Sequence, residues 1–261
     1  MEIHNHYQIN LIIYKLTKTI AMEQNDLKQT SPRRGFLGTL AAGAAAVGLA
    51  SIASPFKLQA QAQPQKKMAP GSPMVPAESW INRIKGKHRM VFDATRPHDL
   101  MPFAWPKVFL LTNGKTGTPA NECGVLVVLR HDAIPYAFES RMWEKYSFGE
   151  VFKANDPHDH TGKTIATSNP FWMPEPKYSI PGVGEVAIGI NDLQADGVMF
   201  CVCEMAITVY SAVVAEKMKM NPDEVKKTWL TGLLPGIQVV PSGVWAIGRA
   251  QENGCQYCFA G

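Results

Sequence analysis

The chain has 261 residues, with 26 Lys and Arg against 22 Asp and Glu and a formal net charge of +4. That excess lies almost entirely ahead of residue 63, so the remainder lacks the basic footprint of a nucleic-acid binder. It also lacks a Gly-rich phosphate loop and a Ser-His-Asp signature, and no cofactor is expected from its motifs.

Residues 1–62 read as an export address. Ser31-Pro32-Arg33-Arg34-Gly35-Phe36-Leu37 precedes an apolar run over 36–53 and then Ala60-Gln61-Ala62, the pattern of a twin-arginine signal with a peptidase site before Gln63. Gly38, Gly43, Gly48, Thr39 and Ser51 dilute the run. It is less apolar than an anchor of about 18 residues, which favours cleavage over retention. Membrane attachment is therefore expected only through an uncleaved signal, and the location is periplasmic or otherwise exported. The extension over 1–21 fits poorly into a leader, whereas Met22 offers a normal start.

Cleavage leaves about 200 residues, enough for one domain. All five cysteines, Cys123, Cys201, Cys203, Cys255 and Cys258, lie in that part. An oxidising compartment tends to pair thiols, and an odd count leaves one over. Residues 63–80 are rich in Pro, Gln, Ser and Lys and read as a flexible linker, with the domain over 81–261.

Along the domain, apolar runs over 89–94 and 124–129 predict buried strands. Helical stretches follow them over 102–112 and 136–154. A helix over 186–195, closed by Asp196-Gly197, leads to a strand over 198–203 and a long helix over 205–219. Asn221-Pro222-Asp223-Glu224 supplies an N-cap, a first-turn proline and acidic residues against the dipole for a helix over 221–234. A strand over 237–240, a helix over 244–253 and a strand over 256–259 complete the series. Alternation of this kind predicts a three-layer α/β/α fold with a mostly parallel, roughly five-stranded sheet. Ligands of such sheets sit beyond the carboxyl ends of the strands.

The stretches Gly197-Val198-Met199-Phe200-Cys201-Val202-Cys203, Gly236-Ile237-Gln238-Val239-Val240-Pro241-Ser242-Gly243-Val244, Gln251-Glu252-Asn253-Gly254-Cys255-Gln256-Tyr257 and Val127-Val128-Leu129-Arg130-His131-Asp132-Ala133-Ile134 resemble the DsrE/DsrF-like family. The likeness covers residues 88–259. It implies a small three-layer fold that assembles into trimers or hexamers, and a persulfide-carrying cysteine near one strand end, a position that Cys203 matches. Residues 156–184, with Pro157-His158-Asp159-His160, Asn169-Pro170-Phe171-Trp172 and Pro174-Glu175-Pro176, depart from the family pattern and read as an inserted loop, a frequent place for function.

Cys203 is the leading candidate for chemistry, as a sulfur or thiol nucleophile. A cysteine between a strand and a helix faces backbone N–H groups and the positive end of the dipole, which favours thiolate; the competing reading is a small core residue. Cys201 is placed in the core, on the side of the sheet that Cys203 shares if the strand is regular. His131 offers an acid/base partner, and Asp93, Arg96 and His98 a polar rim after the first strand. Ser242 and Gly243 open the helix over 244–253 as a cap, with anion binding as a second possibility. Cys255-Gln256-Tyr257-Cys258 has redox or metal spacing but lies on a strand, where its thiols face opposite ways. His158 and His160 lack a third ligand, and no metal is expected. Together these residues suggest an exported protein that handles sulfur or thiol species. A binding module without turnover, using the loop over 156–184, is the alternative, and a metal-binding protein is the third.

Overall fold

The computed structural model describes residues 74–180 and 182–261, with side chains from 77 onward. The expected signal region and start site fall on residues outside those described. Helix α1 (Met74–Ile81) is followed by β1 (His88–Ala94), α2 (Met101–Lys115), β2 (Cys123–Leu129), α3 (Ser140–Tyr146) and α4 (Phe148–Val151). A short hairpin of β3 (Tyr178–Ile180) and β4 (Gly184–Val186) precedes α5 (Ile190–Ala195), β5 (Met199–Cys203), α6 (Glu204–Met218), α7 (Pro222–Thr231), β6 (Ile237–Val240), α8 (Gly243–Glu252) and β7 (Gln256–Phe259).

Five strands form one all-parallel sheet in the order β6-β5-β2-β1-β7. Central β2 reads Cys-Gly-Val-Leu-Val-Val-Leu and is buried from Gly124 to Leu129, because helices cover both of its faces. On one face Phe92, Val127 and Phe200 join Phe103 of α2, Ile207 of α6 and Trp229 of α7. On the other, Val91, Leu126 and Val128 pack with Ala77 and Ile81 of α1 and Ala246 and Ala250 of α8. The three-layer α/β/α architecture expected from the alternation is the one observed. Among the described residues, no helix is long and apolar enough to cross a membrane.

Four local expectations change. The segment read as linker up to residue 80 ends in α1, where Ala77 and Trp80 are buried; its apolar residues recur at helical spacing behind the proline-rich stretch. The stretch over 136–154 breaks into a 3-10 turn (His131–Ala137), α3 and α4, with Ser147 in the left-handed region at φ 51° between the two helices. Val186 belongs to β4, so the next helix begins only at Ile190. Residues 156–184 are no mere loop: they carry β3, bury Phe171 and Tyr178 in the main core and stack Phe171 on Phe103 at 4.1 Å.

Candidate functional site

Every strand of the sheet runs the same way, so all carboxyl ends meet on one side. The register pairs Ala94 with Leu129, Leu129 with Val202 and Cys203 with Val240. Arg130 and Cys203 are therefore level on adjacent strands, which lie about 4.8 Å apart in a sheet.

Cys203 ends β5 and is also the N-cap of α6, its Sγ accepting the Ala206 N–H at 3.3 Å. The sulfur thus stands at the positive end of a 15-residue helix. It is 7% exposed and lines none of the main cavities. Neighbouring Glu204 pairs with Lys226 of α7 at 3.1 Å, which offsets its negative charge beside the thiol. Cys201 sits in the opposite cluster under α8, fully buried, whereas Cys203 joins the α6 side. The expected shared face fails because the backbone turns from strand into helix at Cys203. Burial pushes the Cys201 thiol far above the usual range.

Asp93 is buried inside the domain rather than solvated on a rim. Its carboxylate accepts Arg130 Nε at 2.7 Å, Arg130 Nη2 at 2.9 Å and the Tyr257 hydroxyl at 2.8 Å. The pair is bidentate, and both carboxylate oxygens of Asp93 are bonded. The bond to Asp93 raises the Arg130 pKa, with further contributions from the charges of Asp93, Tyr257 and Cys203. Burial and the bond to Asp93 also raise Tyr257, keeping its hydroxyl a donor. Gly243 has a steric reason for being glycine: a Cβ there would stand 2.5 Å from Arg130 Cβ. Ser242 caps α8 by accepting the Trp245 N–H at 3.2 Å. Arg130 and Tyr257 were not singled out from the sequence. The signal was Asp93 itself, since a carboxylate inside a buried strand requires a cation.

His131 follows Arg130 at φ 51° and is exposed. Its Nδ1 lies 3.3 Å from Asp132, which also accepts the Tyr210 hydroxyl of α6, and its ring meets Tyr210 edge-on. Arg96 and His98 are exposed in the turn before α2. Arg96 makes no ion pair or side-chain hydrogen bond among the described residues, and His98 rests against Gly261. The structure therefore brings Asp93, Cys203, His131, Ser242 and Gly243 together with Arg130 and Tyr257, and leaves Arg96 and His98 apart. All five cysteines are free thiols. Cys255 lies in the α8-side cluster and Cys258 packs against the other, the opposite facing that strand geometry requires.

A second site lies where residues 157–162 and 176–180 meet the start of α2, in a cleft of about 960 Å³. His158 lines it: Nε2 donates to the Pro176 carbonyl at 2.8 Å, Nδ1 sits 3.1 Å from Asp156, and the ring stacks on Tyr178 at 4.3 Å. Asp159 accepts the Thr161 hydroxyl and the N–H groups of Thr161 and Thr164, which holds its carboxyl below the usual range. Among the described residues, no three His, Cys, Asp or Glu side chains are grouped to hold a metal. The chain matches no protein-family model and no curated protein sequence.

Proposed function

We propose that the protein is a DsrE-like carrier of sulfur or thiol species, acting through Cys203 after export. The observation that supports this most directly is the Cys203 sulfur at the N-cap of α6, level with the anchored Arg130. The sulfur faces the backbone N–H groups of the helix start, and the Arg130 side chain stands at the end of the adjacent strand. In the reaction, the Cys203 thiolate attacks the outer sulfur of a donor such as thiosulfate. An Sγ–S bond forms, the donor's S–S bond breaks, and its electron pair leaves with sulfite. Arg130 keeps guanidinium donors beyond its pair with Asp93 that suit an anionic sulfane-sulfur donor, and His131, next in the chain, is the acid/base candidate at the same sheet end. The site is nearly closed in one protomer, so access depends on side-chain movement at the sheet end. Thiosulfate loading followed by cyanolysis tests the reading: wild type yields thiocyanate and Cys203→Ser does not. Equal yields from the two proteins refute it.

Met205, Val209 and Val213 are exposed at successive turns along α6, an apolar stripe that supports the trimer or hexamer the resemblance implies. Light scattering of wild type and Val209→Asp checks it; one unchanged monomer mass in both rules it out. Periplasmic export rests on Arg33 and Arg34, and loss of export in the doubly lysine-substituted precursor is the expected result.

The cleft of about 960 Å³ favours a second reading, a ligand-binding module without turnover.

A further inference from the structure

Beside the large cleft lies a recess of about 140 Å³, walled by His98, Asp99, Tyr136, Lys153 and Asn155. Asp99 lines both spaces. The Tyr136 ring is 1% exposed and packs edge-on against Phe103 and Phe171, yet its hydroxyl forms no hydrogen bond with any described residue. The hydroxyl is not sealed off as the Tyr146 hydroxyl is; it reaches the wall of the recess, where a bound group rather than a protein atom can meet it. Burial, and then the charge of Asp99, keep this phenol protonated, so it is a donor facing the recess with nothing to receive it.

Asp99 and Lys153 bring opposite charges to the same recess, and neither forms an ion pair among the described residues. Both occupy left-handed backbone, at φ 43° and 54°, a region that residues with a β-carbon adopt infrequently. The recess is smaller than the roughly 300 Å³ that drug-sized ligands need, but its wall residue Asp99 also lines the cleft, beside the apolar side chains of Leu100, Met101 and Ala104.

We propose that this recess binds a free α-amino acid with an apolar side chain, a proposal that rests on the binding-module reading of the cleft. The ligand's ammonium group pairs with Asp99, and its carboxylate takes Lys153 and the Tyr136 hydroxyl. The side chain runs into the cleft along Leu100 and Met101. Each charge of the zwitterion meets a group left unpaired in the protein, and the apolar cleft beyond Asp99 selects the side chain.

Titration calorimetry of the exported protein with L-leucine tests the assignment, with N-acetyl-leucine and leucinamide as ligands lacking one charge each. Leucine binds and both analogues bind at least tenfold more weakly. Tyr136→Phe, which keeps the ring, and Asp99→Asn, which suits left-handed backbone, each weaken leucine binding about tenfold. No leucine binding overturns the proposal, as does binding that either substitution or N-acetylation leaves unchanged. Fluorescence of anilinonaphthalene sulfonate reads the cleft separately: dye bound without leucine overturns the amino-acid assignment and leaves the cleft a binding site, while neither bound removes both.

Discussion

At the carboxyl end of the sheet, Asp93, Arg130 and Cys203 are placed by backbone register, each at or within one position of the end of a strand whose neighbour is fixed. In residues 156–186 the placement comes from side chains that bond distant main chain. Asn169 donates to the carbonyls of Tyr136 and Phe138, the Tyr178 hydroxyl donates to Pro170, and His158 reaches Pro176. The first region is almost closed, with the Asp93 carboxylate bonded at both oxygens; the second borders a cleft of about 960 Å³. A parallel sheet gathers residues by topology, whereas a long connection between strands can shape a cavity without disturbing them.

The largest effects come from breaking either region at its anchor. Arg130→Ala leaves the Asp93 carboxylate buried without its cation, and is expected to destabilise by about 3–5 kcal/mol in denaturant unfolding. The paired change Asp93→Asn with Arg130→Gln recovers part of that loss, because no charge is then stranded. Phe171→Ala removes a fully buried ring stacked on Phe103 and is expected to cost about 3–5 kcal/mol. A cost below about 1 kcal/mol would make residues 156–186 a detachable loop and dissolve the contrast.

Alkaline pH sharpens the comparison from the sheet side. Burial raises Cys201, Cys255, Cys258 and Cys123 above the ordinary thiol range, so the folded state holds these protons more tightly than the unfolded chain. Their stabilisation is complete below the ordinary thiol pKa and is lost as pH rises through the raised values. For Cys201 the slope is about 1.4 kcal/mol per pH unit in that window, and Cys201→Ala removes that share of the decline in denaturation midpoint. The smallest effect lies outside both regions: Asn221→Ala deletes the cap that accepts the Asp223 and Glu224 N–H groups and costs about 1 kcal/mol.

The sheet was legible because its strands are continuous apolar runs bounded by turn residues; β6 and β7 fall where the pattern puts them. Cys203 at a helix start followed from strand, cysteine and helix in immediate succession. Arg130 was harder to see, since its role depends on β1 lying beside β2. Residues 156–184 stayed illegible because their prolines hide regular pairing, and because Phe171 is buried against Phe103 and Tyr136, more than thirty residues away in sequence. Helix α1 was missed behind a proline-rich stretch that dominates the local composition.

Peptide-level mass spectrometry after thiosulfate treatment tests the sulfur-carrying account most directly. The account predicts one added sulfur atom on the peptide containing Cys203, absent from Cys203→Ser and diminished in Arg130→Lys. Sulfur found on another cysteine, on none, or equally in the serine variant would contradict it.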